Sequence, residues 1–336
     1  MKTLLSLSCV LFATSLFATG KTFYVSPTGD GTNPQAGFAT GFATVEAAIA
    51  SADVTVGDMV ILDKTTFTLA SNITVNKAII LRGAGENWET VLNGNKSNNM
   101  SLTVAGALLH NFTITNMGGM YTGAAGISMS SASTISNVVV RQIGNLWQGA
   151  TDGTRFPVTL TAGTLTHCWI TNNVMPNNAG VHLNGACTVE NCYIANNVDR
   201  GCSSKESYRG VVVISSTSAI LRNCTIVNNE SGFGGIYCRV ATCKVYNNII
   251  RGNTAGGATC NWFFKSGLTP VFTNWKANCT DPITGMPAGN IAEDPMFRSD
   301  NLHFMSKSPC NHTADPAYAP AYDIMGNPRG DTPSMG

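Results

Sequence analysis

Charge is scarce in this chain: 20 Lys+Arg against 19 Asp+Glu in 336 residues leave a net charge of +1 and a charged fraction of 12%. Without a basic run there is nothing to neutralise a phosphate backbone, which excludes nucleic acid as a partner. The same scarcity excludes a coiled coil, and the supply of Val, Ile, Leu and Phe excludes disorder. Beyond the first twenty residues no apolar run is long enough to span a bilayer. What the chain has is small and polar without charge, with 34 Gly and 33 Asn, a mixture that points to many turns and much β structure.

Residues 1–20 read as a secretory signal peptide. Met1-Lys2 is a short charged start, Leu4 to Phe17 is an apolar centre, and Ala18-Thr19-Gly20 supplies small residues for cleavage. The mature chain is therefore expected outside the cell, secreted or at the cell surface, with no transmembrane segment.

The rest is organised by an internal repeat. Phe112, Val138, Cys168, Cys192, Cys224 and Asn248 occupy equivalent places, separated by steps of 26, 30, 24, 32 and 24 residues. Each copy follows a short apolar strand, such as Val158-Thr159-Leu160 or Val181-His182-Leu183. One column of the alignment reads Leu109, Ile135, Leu165, Val189, Leu221, Val245, and another Ile114, Val140, Ile170, Ile194, Ile226, Ile250. Both are aliphatic throughout and mark inward faces. A third column, Asn116, Gln142, Asn172, Asn196 and Asn228, places an amide at a turn, where stacked side chains are expected to hydrogen-bond to one another. A strand-and-turn unit of this size cannot bury its faces alone and must stack. The expected fold class is all-β, a right-handed parallel β-helix (solenoid) with a short N-terminal capping helix and an irregular C-terminal cap.

The ladder Asn-Cys-Thr-Ile-Val-Asn-Asn at 223–229 resembles secreted bacterial β-helix proteins of the pectate-lyase-like fold. The chain ends are similar to the subgroup with a choice-of-anchor type C-terminal region, through Tyr24-Val25-Ser26-Pro27, Gly57-Asp58-Met59-Val60, Asp294-Pro295-Met296-Phe297 and Gly326-Asn327-Pro328-Arg329. These motifs speak to architecture rather than to activity. The residues after Asp331 depart from the subgroup's acidic-aromatic finish.

An open end of such a stack exposes strand edges and apolar core. Val45, Ala48 and Ile49, at helical spacing, predict a lid over the first coil. The boundaries follow: a cap over 21–56, coils over 57–257, and an aromatic-rich stretch without a ladder over 258–336 that wraps the far end. Ten cysteines lie beyond the signal peptide. Cys168, Cys192 and Cys224 share one column, and parallel side chains on coils about 4.8 Å apart seldom meet disulfide geometry, so buried thiols are expected there. Cys279 and Cys310, off the ladder, are the disulfide candidates.

Function falls to the insertions between coils, which collect on one flank. A first wall carries Trp147, Gln148, Asp152 and Arg155, and a second Asp199, Arg200, Lys205, Glu206, Tyr208 and Arg209. Aromatic faces stack on sugars and cations pair with carboxylates, so an extracellular acidic polysaccharide is the expected partner of a monomeric binder without an evident catalytic set. The alternative is a calcium-dependent lyase of the pectate type acting by β-elimination, with Lys205 or Arg209 as base and Asp152, Asp199 and Glu206 holding calcium. Arg155-Phe156-Pro157 matches part of a pectate lyase motif, but Leu160 stands where its second Arg belongs. Glycoside hydrolysis is excluded by the lack of a paired-Asp and Gly-His-Gly pattern. A second alternative is an adhesin that binds protein along its sheets. His110, His167 and His182 sit in or beside strands and read as structural.

Overall fold

Short apolar strands that recur at a near-constant spacing bury their faces only against their own copies. The computed structural model describes residues 20–95, 101–118, 126–144, 156–175, 178–200, 209–300 and 302–336. Of the expected signal peptide, only Gly20 is among them.

The coils stack as three parallel sheets. In sheet A, Thr22–Val25 pairs with Met59–Leu62, which pairs with Ile80–Gly83, and the ladder continues through Leu109, Ile135, Leu165, Val189, Leu221, Val245 and Trp275. Sheet B carries Phe67, Leu92, Ile114, Val140, Ile170, Ile194, Ile226, Ile250 and Thr280 in one register. Sheet C carries Ile73, Leu102, Ile127, Val158, Val181, Val212, Ile236 and Trp262. Both aliphatic columns read from the sequence are thus vertical stacks. Ile170, Ile194 and Ile226 are fully buried, each contributing about 1.5–3 kcal/mol.

The amide column behaves differently from the expectation. Asn116, Gln142, Asn172, Asn196 and Asn228 all adopt φ between 53° and 56°, the left-handed region that Asn tolerates better than other side-chain-bearing residues. Four of them point to solvent. The bonded ladder lies one residue later: the Asn173 amide donates to Asn197 Oδ1, Asn197 to Asn229, and Asn229 to Asn253, each at 2.9 Å. A second ladder runs from Asn248 to Asn278 to Asn290 and directly continues the thiol column. Cys168, Cys192 and Cys224 are buried free thiols, each directed at a carbonyl of the preceding coil at 3.6 Å.

The lid is helix α1 (Val45–Ala50), capped by Thr44 Oγ1 accepting from the Ala47 amide at 3.1 Å, with Val45, Ala48 and Ile49 buried. The far end departs from the expected boundary. Rungs continue past residue 257 at Trp262–Phe264, Trp275–Lys276 and Cys279–Thr280, too short and widely separated to show a period. Trp262, Phe264, Phe272 and Trp275 pack edge to face and close the core. The remaining chain does not stay at the end. From about residue 292 it runs back as a strap along the outside of sheet B, burying Tyr193, Val227, Ile249 and Cys279 under Cys310, Ala314 and Met335.

Candidate functional site

Two flanks carry polar side chains that the core does not use. On the flank expected from the insertions, Trp147, Gln148, Asp152, Arg155, Lys205, Glu206 and Tyr208 lie outside the described residues. Asp199, Arg200 and Arg209 lie within them. Asp199 is buried and accepts from Arg209 Nε and from the Gly232 amide, both at 3.3 Å, so this pair ties together the two ends of the segment 200–209. Among the described residues no group of three or more His, Cys, Asp or Glu is arranged to hold a metal ion. Nearby, on the outer face of sheet C, His182 stacks on Phe156 at 4.5 Å and meets Ser215 Oγ at 2.9 Å. Burial, then the neighbouring Arg239, push the imidazole down to about 4, so it is neutral at pH 7.

The better-formed site lies on the other side, at the corner between sheets A and B. Here a groove of about 680 Å³ opens over the early coils. Its floor is built from the outward positions of two sheets. Arg82 and His110 are register partners on sheet A, while Val139 and Trp169 are partners on sheet B, where Arg141 also sits. Asn111, Asn137 and His167 turn the corner between them, all at positive φ.

One wall is the excursion 84–89 that follows the strand Ile80–Gly83. Gly83 is required at its base, because a Cβ there would run into the Asn111 carbonyl. The excursion is pinned by Asn111 Nδ2 on the Gly85 carbonyl, by Asn87 Nδ2 on Asn137 Oδ1 (2.9 Å), and by Thr113 Oγ1 on the Asn87 carbonyl (2.7 Å). Its tip presents Trp88, 66% exposed. The opposite wall comes from the strap: Ile324, Met325 and Gly326, with Met325 42% exposed. Two large apolar side chains thus stand open to water on facing walls, an arrangement that marks a contact surface more than scattered exposure does.

The charged side chains that line the groove are Lys64, Arg82 and Arg141 against Glu86 and Glu89, an excess of one positive charge. Burial and the adjacent Arg82 push His110 down to about 4, and burial lowers His167, so neither adds charge. Glu89 is already engaged by the Glu86 amide (2.7 Å) and by Lys64 (3.3 Å), which hold its carboxyl below the usual range. Among the described residues Arg82 and Arg141 have no ion pair. Of these residues, only His110 and His167 stood out in the sequence, and they read as structural. The available signal was Trp88, an aromatic inside a polar turn; Arg141 shares its column with Thr115, Thr171, Ala195 and Val227 but also with a second arginine, Arg251.

No family model and no curated protein matches the chain. A solved structure does. The crystal structure of pectate lyase Pel9A superposes over 96% of this chain and 97% of its own, with a TM-score of 0.55 and 15% identity. The likeness is one of fold. It gives this chain the right-handed parallel β-solenoid architecture, and at that identity it does not extend to the residues of the site. Among the described residues, no helix is long and apolar enough to cross a membrane.

Proposed function

We propose that this protein is an extracellular glycan-binding β-solenoid that holds an acidic polysaccharide in the groove between Trp88 and Met325. The observation that carries the reading is the pairing of an exposed Trp88 with Arg82 and Arg141, cations without carboxylate partners, on one concave surface. A sugar ring offers an apolar face to the indole, and a uronate carboxylate accepts two parallel hydrogen bonds from a guanidinium. The groove floor crosses successive coils about 4.8 Å apart, from Arg82 and His110 to Val139 and Trp169, which suits an elongated polymer.

Calorimetric titration with polygalacturonate oligomers tests the reading. Binding should weaken about tenfold in Arg141→Ala and by a similar factor in Trp88→Ala, as expected for one charge-assisted contact or one stacked ring. A neutral glucan should not compete. Equal affinity of both variants and wild type would remove the groove from consideration. The fold likeness to a pectate lyase favours a second reading, calcium-dependent β-elimination with Lys205 or Arg209 as base. In that case incubation with calcium yields unsaturated ends that absorb in the ultraviolet, and Lys205→Ala or Arg209→Ala abolishes them.

A further inference from the structure

We propose that Cys279 and Cys310 form a disulfide latch that locks the C-terminal strap, and with it one wall of the groove, against the solenoid. Its consequence for ligand affinity rests on the reading above, whereas the latch itself does not. The described cysteines divide by geometry. Cys168, Cys192 and Cys224 descend one column, so their side chains run parallel, and each thiol is directed at a backbone carbonyl. Cys279 instead lies on the outer face of sheet B, next in register to Ile249, while Cys310 arrives from the strap that covers this face. The two side chains approach from opposite sides, both fully buried, in one cluster with Ala277, Ala314 and Met335. Both thiols are free, and that of Cys279 donates to the Glu293 carbonyl at 3.3 Å, a contact the disulfide would replace.

The chemistry is thiol–disulfide exchange with a small disulfide such as oxidised glutathione. Cys279 is the attacking group: the neighbouring Cys310 thiol, then Arg251, hold it below the ordinary thiol value, while Cys310 is raised. The Cys279 thiolate displaces one glutathione thiolate. Cys310 then gives up its proton and attacks Cys279 Sγ, expelling the second glutathione. Two protons and two electrons leave the protein, and the electrons reduce one glutathione disulfide to two thiols. Because both sulfurs are buried under the docked strap, the first attack takes place with the strap lifted, and the closed latch is then shielded from reductant.

A continuous set of contacts links this bond to the groove. The Cys310 carbonyl accepts from the Met335 amide at 3.1 Å, and the flanking Ser334 and Gly336 carbonyls each accept from Arg329 at 2.7 Å. The Arg329 amide donates to the Ala321 carbonyl at 2.8 Å and so closes the hairpin whose tip is Ile324 to Gly326.

The test uses the full chain refolded with glutathione disulfide, then denatured, alkylated and analysed by mass spectrometry. The expected product is a cross-linked pair of peptides containing Cys279 and Cys310, with the ladder thiols alkylated. Alkylation of both residues, or a link to any other cysteine, overturns the proposal. Tryptic cleavage after Arg329 should be at least about tenfold slower in the oxidised than in the reduced protein, and Cys310→Ser should be cleaved fast under both conditions. A cross-link that leaves cleavage unchanged overturns the locking role. If cleavage slows on oxidation while polygalacturonate binds neither form, the latch stands and the groove reading fails.

Discussion

The corner between sheets A and B is turned on successive coils by one residue of positive φ, yet the surface outside it is built in two ways. On the early coils the corner residues Asn111 and Asn137 hydrogen-bond to each other at 2.6 Å and to the excursion 84–89, and the groove lies open above them. On the later coils the equivalent residues face the strap. Asn191 donates to the Tyr322 carbonyl, Asn223 to Ser334, and Asn247 both donates to and accepts from Asp315. The backbone requirement is the same throughout and is met by Asn on each of these coils, His167 taking the place on the one between Asn137 and Asn191. What the amide then does depends on which distant segment reaches it. A repeat therefore fixes the scaffold and leaves the flank free to be covered or used.

The sharpest way to break this comparison is to release the covered stretch. Arg329 donates to the Ser334, Gly336 and Tyr322 carbonyls and to Asn191 Oδ1, so Arg329→Ala removes four contacts made by one charged group. At about 1.5–3 kcal/mol for a charged hydrogen bond, the local loss exceeds about 4 kcal/mol and should free the strap. Hydrogen exchange over 309–336 should rise steeply while the far-ultraviolet circular dichroism of the coils is retained. An unchanged exchange pattern would mean that apolar packing alone holds the strap.

A second, smaller effect separates the stretches by pH. His110, in the open groove, is held neutral down to about 4 by burial and by Arg82. Unfolded, it takes up a proton near pH 6.5, so its contribution is fully present above that value and is lost as pH falls towards 4. The loss amounts to at most about 3 kcal/mol by linkage. His167, beside the strap, is also lowered by burial, but Glu190 and Asp323 oppose that shift. Urea midpoints at pH 7 and pH 4.5 should therefore converge more in His110→Gln than in His167→Gln. The reverse order would place the acid-sensitive histidine under the strap.

Much of the scaffold was legible in the residues because its cause is local and repeated. Ile170, Ile194 and Ile226 recur at a spacing that only stacking can bury, and Val45, Ala48 and Ile49 mark the lid. The bonded amide ladder was read one residue early, since Asn196, which supplies the left-handed turn, and Asn197, which supplies the hydrogen bonds, are adjacent and chemically identical. The groove was not legible. Trp88 and Met325 are separated by most of the chain, and they come together only because the strap returns along sheet B, a path set by the packing of Cys310, Ala314 and Met335 on Ile249 rather than by any periodicity.

The finest test of the comparison uses one substitution in both stretches. Asn191→Gly and Asn137→Gly each preserve the left-handed turn, at φ 47° and 51°, and add the same freedom to the unfolded chain, so those effects cancel in the difference. What remains is the side chain. Asn191 is buried and loses its contacts with Tyr322 and Arg329, whereas Asn137 loses two amide contacts beside an open groove where water can replace them. An unsatisfied buried partner costs about 1–3 kcal/mol and a rehydrated one much less, so Asn191→Gly should be the more destabilising by about 1 kcal/mol. Equal urea midpoints would show that the strap adds nothing to what the corner amide already contributes.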